Sequence, residues 1–158
     1  MLRDNVSLRS LSLRGNQLET FPDLPGTTNL VNLDLAGNRL DGRDFTTLSQ
    51  FRSLRVLDLS DNCIDMDLAS FFHYVVKPLR SASKLEYLAL SGNPVAESIP
   101  EYRLYLLREF PSIRYIDWEL VKKSERTQAQ RLDREGTWKH KHETVWGPGP
   151  QVAASGEE

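Results

Sequence analysis

The side chains of this chain best suited to chemistry are four carboxylates, Asp34, Asp58, Asp61 and Asp117, and two tyrosines, Tyr87 and Tyr115. Carboxylates attract and orient cations, and tyrosine combines broad apolar contact area with a polar tip, so the set suits recognition of another surface. Catalysis needs converging groups, and no phosphate-cradling glycine loop, HExxH pair or GxSxG elbow is present. Gly15-Asn16, Gly37-Asn38 and Gly92-Asn93 read as turns, and Cys63 as a structural or surface thiol with no histidine near it in sequence. His73 lies on or beside the polar face of a helix, while His140 and His142 lack the thiolates or carboxylates of a metal site. The expectation is a non-enzyme with no metal and no cofactor.

Two tryptophans, Trp138 and Trp146, stand in a polar tail where a buried core is not expected. An exposed indole is unfavourable unless something covers it, so both are candidate partner anchors; the alternative is that they fold back on the rest of the chain. Between Lys122 and Lys141 the chain carries a surplus of basic residues, and such a strip with tryptophan can also pair with phosphate and stack on RNA bases.

What must position these groups is a repeat. The pattern leucine-x-x-leucine-x-leucine-x-x-asparagine-x-aliphatic occurs four times: Leu8 to Leu18, Leu30 to Leu40, Leu54 to Ile64 and Leu85 to Val95. A degenerate fifth, Ile113, Ile116 and Trp118, lacks the asparagine. Period-two alternation buries the inner leucines of a short strand and turns the residues between them outward. Asn16, Asn38, Asn62 and Asn93 are expected to form a buried ladder, because an amide side chain supplies both a donor and an acceptor to turn backbone.

Outward columns follow from the same alignment. One reads Ser10, Asn32, Val56, Tyr87, Tyr115; the next Ser12, Asp34, Asp58, Ala89, Asp117; a third Arg14, Ala36, Ser60, Ser91. Strands about 4.8 Å apart make Asp34 and Asp58 neighbours with Asp61 nearby, an acidic patch beside an aromatic shelf. A partner with Lys or Arg and an apolar anchor suits this face, with Asn32, Val56 and Asp117 in its footprint; alternatively these residues simply keep the sheet solvated.

Between repeats, Leu68, Phe71, Phe72, Val75, Val76 and Leu79 fall at helical spacing with Pro78 near the end, Asp44 to Leu48 suggests one helical turn, and Phe21 to Pro25 an extended crossing. Ser98-x-x-Glu101 has the form of a capping box opening a helix with Pro100 in its first turn, after which Leu104, Leu106, Leu107 and Phe110 close the core. Ser124 to Glu135 has good helix formers but only Ala129 and Leu132 as apolar residues, so a frayed helix ending at Gly136 is expected. The domains are therefore 1–123, solenoid and cap, and 124–158, a helical to disordered tail.

The four repeats resemble the leucine-rich-repeat superfamily. Asn93-Pro94-Val95, Tyr102 to Leu107, Phe110 to Asp117 and Val121 resemble the C-terminal cap of its short-repeat members, of the phosphatase 1 regulator, spliceosomal A-prime and axonemal dynein light-chain types. The resemblance implies an α/β solenoid with a parallel concave sheet of about five strands, a mixed helix and turn convex side, and a helical cap. It also implies a protein-binding adaptor or subunit of a larger assembly in a ciliary or cytoskeletal setting, with an RNA-processing subunit and a phosphatase regulator as alternatives.

Composition narrows the class. The 158 residues are 39% hydrophobic, enough for one domain, and 20 basic against 22 acidic side chains give a net charge of −2, which disfavours general nucleic-acid binding. One cysteine, no leader at the first residues and no apolar run of about 20 residues point to a cytoplasmic chain that neither spans nor binds a membrane. Only seven residues precede Leu8, so that end is either partner-covered or truncated. Homo-oligomers are not expected.

Overall fold

The computed structural model describes residues 6–134. Short strands β1 (Ser10–Ser12), β2 (Asn32–Asp34), β3 (Val56–Asp58), β4 (Tyr87–Ala89) and β5 (Tyr115–Ile116) lie side by side in chain order, all parallel. Strand β6 (Glu119–Leu120) returns antiparallel to β5. The pairing aligns Leu11, Leu33, Leu57, Leu88 and Ile116 in one row, and the last four are fully buried. Period-two alternation has thus placed one leucine per coil on a common inner wall.

The convex side changes character along the solenoid. Phe21 to Pro25 carries no helix, a 3-10 helix spans Phe45–Gln50, and the longest insert forms α1 (Leu68–Phe71), a π turn (Phe72–Val76) and α2 (Lys77–Leu79). Asp67 caps α1 by accepting from the Ser70 N–H at 2.8 Å, which holds its carboxyl below the ordinary range. The Lys77 N–H reaches back five residues to the Phe72 carbonyl immediately before Pro78, which has no N–H to donate. Phe71, Val75, Val76 and Leu79 face the core.

Three asparagines form the ladder. The Asn62 side chain donates to the carbonyls of Leu35 and Leu59, both at 3.0 Å, and accepts from the Leu40 N–H at 3.0 Å, so it ties two coils together. Asn38 joins the first and second coils in the same way, and Asn93 the third and fourth. Asn16, expected in the buried ladder, is exposed and bonds only within its own coil, to Leu13 and Arg14. Among the described residues no coil precedes it, and Leu11, Leu13 and Leu18 are likewise half-buried.

The cap departs from the expected capping box. Helix α3 (Pro94–Ser98) starts directly after Asn93, with Pro94 in its first turn, so Ser98 ends a helix instead of opening one. Helix α4 (Tyr102–Glu109) begins at Tyr102 behind a left-handed Glu101 that makes no side-chain cap. The reason is local: Ile99 precedes Pro100, which disfavours helical backbone at the residue before it, so Ile99 turns extended and separates the two helices. Tyr105, Leu106 and Phe110 then close the last coil.

Helix α5 (Lys123–Arg134) is docked on α4 instead of frayed. Ala129 is buried, Leu132 partly so, and ion pairs supply what apolar area cannot: Arg103 with Glu125 at 2.8 Å and Arg108 with Asp133 at 2.9 Å. Arg126 donates to the carbonyls of Pro111 and Ile113. We propose that the folding unit extends through α5, past the boundary at residue 123 that composition suggested.

Two outcomes test this account. Asn62→Ala should lower unfolding free energy by about 2–4 kcal/mol, since it strips the buried Leu40 N–H of its acceptor and two carbonyls of a donor; exposed Asn16→Ala should cost under about 1 kcal/mol in the same urea titration. Equal costs would reject the ladder as the element that couples coils. The Glu125 carboxyl is held below its ordinary value of 4.5, chiefly by its hydrogen bond from Arg103. A depressed carboxyl contributes stability above its unfolded value that is lost as pH falls through the depressed one, so amide protection in α5, taken relative to the intrinsic exchange rate at each pH, should fall only below about pH 4.5.

Candidate protein-binding surface

The first outward column forms as its spacing implies: Ser10, Asn32, Val56, Tyr87 and Tyr115 are in register across five strands. Asn32 is exposed, Val56 and Tyr87 are half-buried, and Tyr115 is 38% exposed. The rings of Tyr87 and Tyr115 lie 6.0 Å apart.

The second column does not make a free acidic patch. Arg14, from the first coil, reaches across two strands and pairs with Asp34 at 2.9 Å and Asp58 at 2.7 Å. Asp58 is only 3% exposed and also accepts from the Ser60 N–H and hydroxyl, while Asp34 accepts from the Ala36 N–H and the Ser12 hydroxyl. Both carboxylates therefore hold the turn that follows their strand, and the Asp34 bond is the main cause raising the Arg14 guanidinium above its ordinary value. Asp61 is exposed but sits in the turn, at φ +53, with its N–H on the Ser91 carbonyl. Its carboxylate occupies the space a Cβ at Gly92 would need. In the third column Ala36 and Ser60 are buried, because the chain is already turning inward there.

Asp117, aligned with the outward carboxylates, is a backbone clamp. It accepts from the N–H groups of Leu90 and Ser91 at 2.6 and 2.8 Å and lies beside the buried Tyr102 phenol. Burial, with the Asp117 charge, drives that phenol far above its ordinary value. Both Asp117 and Trp118 adopt left-handed backbone, at φ +51 and +68, which side-chain-bearing residues rarely do without compensating contacts.

That turn produces the residue the repeat alignment misplaced. Trp118, aligned with the inward leucines, is 62% exposed, and its ring lies 4.6 Å from that of Tyr87. Leu120, 57% exposed, pairs in register with Tyr115 through β6. Tyr87, Tyr115, Trp118 and Leu120 thus form a continuous apolar ledge at the C-terminal end of the sheet. One signal in the sequence bears on it: the fifth unit lacks its ladder asparagine, so nothing obliges its third apolar position to point inward. Burial, then the charges of Asp58 and Asp117, raises the Tyr87 phenol well beyond its ordinary range, so it stays neutral and able to donate. Trp138 and Trp146 lie outside the described residues.

Among the described residues no group of three or more His, Cys, Asp or Glu is arranged to hold a metal ion. No described helix is long and apolar enough to cross a membrane.

Stacked parallel strands, an asparagine ladder between coils and an open outer sheet face ending in aromatics define a leucine-rich-repeat solenoid, a fold of the protein-interaction class. The chain belongs to the leucine-rich repeat family, whose family model matches residues 4–143. It is 40% identical over 131 residues to a probable inactive serine/threonine-protein kinase of Dictyostelium discoideum, covering 82% of this chain and 7% of that one. It is 34% identical over 124 residues to the U2 small nuclear ribonucleoprotein A' of Emericella nidulans, covering 78% of this chain and 51% of the relative. Among solved structures it is similar to a chain of the Drosophila melanogaster SNF/U2A' complex, with 27% identity, a TM-score of 0.70, and coverage of 87% of this chain and 76% of that one. The curated relatives are thus about twice as long as the matched part, or much longer. The family model matched is a repeat, and no catalytic family is indicated by it.

Asp117→Ala should cost about 1–3 kcal/mol in urea unfolding, because two backbone N–H groups lose their acceptor. Asp34→Ala, at an accessible carboxylate, should cost less. The reverse order would show that Asp117 is not the clamp.

Proposed function

We propose that this chain is a non-catalytic adaptor or subunit of a larger intracellular assembly, and that it holds a protein partner on the ledge of Tyr87, Tyr115, Trp118 and Leu120. One observation carries this: Trp118 is kept in water by a strained turn instead of being folded into the core, as its place in the repeat would have it. Strain of that kind persists where surrounding structure enforces it, and it gathers at binding sites. Tryptophan and tyrosine are the side chains that most often dominate interface energetics.

The partner suited to the ledge presents an apolar anchor and, beside it, a Lys or Arg. Glu119, 75% exposed next to Trp118 and held only at 3.5 Å by Arg103, is the carboxylate best placed to meet that cation, with Asp34, already bound by Arg14, behind it. Asn32 and Val56 extend the footprint along the sheet. Asp58 and Asp117 serve it indirectly, through Arg14 and the turn, and Asp61 lies at its margin. Trp138 and Trp146, in the tail beyond α5, are proposed as a second contact.

Two settings draw on different relatives. A ciliary or cytoskeletal assembly is supported by 35% identity over 108 residues to a dynein axonemal assembly factor 1 homolog of Drosophila yakuba, of which the match covers 7%. A ribonucleoprotein subunit, nuclear instead of cytoplasmic, is supported by the SNF/U2A' likeness, which extends over most of both chains. The second covers the fold more fully; the adaptor role is common to both.

Capture from native lysate with quantitative mass spectrometry separates these ideas. Tyr87→Ala/Tyr115→Ala and, independently, Trp118→Ala should each reduce the principal bound protein by roughly thirty-fold, the loss expected from truncating an interface hot spot of about 2 kcal/mol, while thermal unfolding changes little. Undiminished capture by both variants would remove the ledge as the site. Removal of residues 135–158 should weaken capture further if the tail tryptophans contribute.

A further inference from the structure

The net charge of −2 hides a sorting of charge that only the folded chain displays. Helix α5 and the residue before it carry five cations, Lys122, Lys123, Arg126, Arg131 and Arg134, and two acids, Glu125 and Asp133. Both acids are engaged by α4: Glu125 by Arg103 at 2.8 Å and Asp133 by Arg108 at 2.9 Å. Arg126 is turned to the carbonyls of Pro111 and Ile113. The other four cations, Lys122, Lys123, Arg131 and Arg134, are exposed. Lys123, Ser124, Thr127, Gln128 and Arg131 line one shallow groove along the helix. Glu101 and the paired Glu125 border its Gln128 side.

We propose that this face of α5 is a docking surface for the phosphodiester backbone of a nucleic acid, separate from the aromatic ledge that receives protein. Charge complementarity is the first reason: a helix of 12 residues, about 18 Å long, presents a run of cations to a polymer with one negative charge per nucleotide. The neutral residues are the second. Ser124 and Gln128 stand between the cations and donate to phosphate oxygens and sugar hydroxyls, as backbone-positioning contacts do. The third is what the face lacks: Ala129 is buried and Leu132 is partly covered, so no exposed apolar side chain is available to enter a lipid surface or to anchor a protein. Nucleic-acid interfaces are more polar and more positive than protein interfaces, and this face fits the former.

The mode of recognition is set by the same features. With cations and small donors only, α5 reads charge and spacing and not base identity, and it positions a strand for whatever else the assembly contacts.

Fluorescence anisotropy of the full chain with a labelled polyuridine of about 15 nucleotides tests the proposal. With three to four phosphates neutralised, affinity should fall roughly 20- to 50-fold as potassium chloride is raised from about 50 to about 200 mM. Lys122→Ala/Lys123→Ala/Arg134→Ala should lose at least roughly ten-fold at low salt, with helix content by circular dichroism unchanged, whereas Trp118→Ala should bind as the unmodified chain does. Absence of binding at low salt, an unaffected triple variant, or displacement of the oligonucleotide by polyglutamate or phosphatidylserine vesicles at equal charge would overturn it.

Discussion

The inner coils of this molecule, from the second repeat on, turn away from their strands where water does not reach, and the backbone groups at that turn need partners. The ladder asparagines meet the requirement across coils as well as within them. Asn62 accepts from an N–H of the coil before it and donates to carbonyls of both. Leucine burial supplies most of the driving force but is indifferent to register. The amide side chain is not: it satisfies its neighbours only when consecutive strands align in the order and spacing observed. The columns on the outer face, and hence any surface built from them, inherit that alignment.

The end of the ladder is where structure turns toward function. At the fifth unit no asparagine is available, and Asp117 accepts instead from the N–H groups of Leu90 and Ser91, positions that earlier coils pair with the next strand's carbonyl and with an aspartate of their own strand. The ladder itself stops at Asn93, and the Val95 N–H, from which a further rung would accept, donates to the Ile64 carbonyl. The chain leaves that position in left-handed backbone, doubles back as β6, and turns the indole of Trp118 out beside Tyr87. The device that terminates the solenoid is also the one that assembles the ledge. Helices α4 and α5 then cover the exposed coil, with ion pairs doing what α5 has too few apolar residues to do.

Charge is redistributed by the same packing. Arg14 absorbs Asp34 and Asp58, so the sheet face is less acidic than its composition, and α4 absorbs Glu125 and Asp133, so α5 is more basic than its own. The two surfaces that result differ in kind: an apolar ledge with a few carboxylates nearby, and a polar cationic helix face. A single small solenoid thereby presents two chemically distinct surfaces.

The sequence alone determined the solenoid, its strand order, the row of buried leucines, the pairing of Tyr87 with Tyr115 and three of the four ladder rungs. These depend on periodicity and local geometry, which a chain carries in its spacing. Tertiary structure decided the rest. The exposure of Trp118, the neutralised aspartates, the clamp at Asp117 and the docking of α5 all depend on which groups meet across 20 or more residues, or on how a repeat ends. Asp58 and Asp34 read as free carboxylates in an alignment and are paired in space because an arginine from another coil reaches over both. Spacing specifies a repeated unit, while the free energy of a long-range contact exists only once the backbone has brought its partners together.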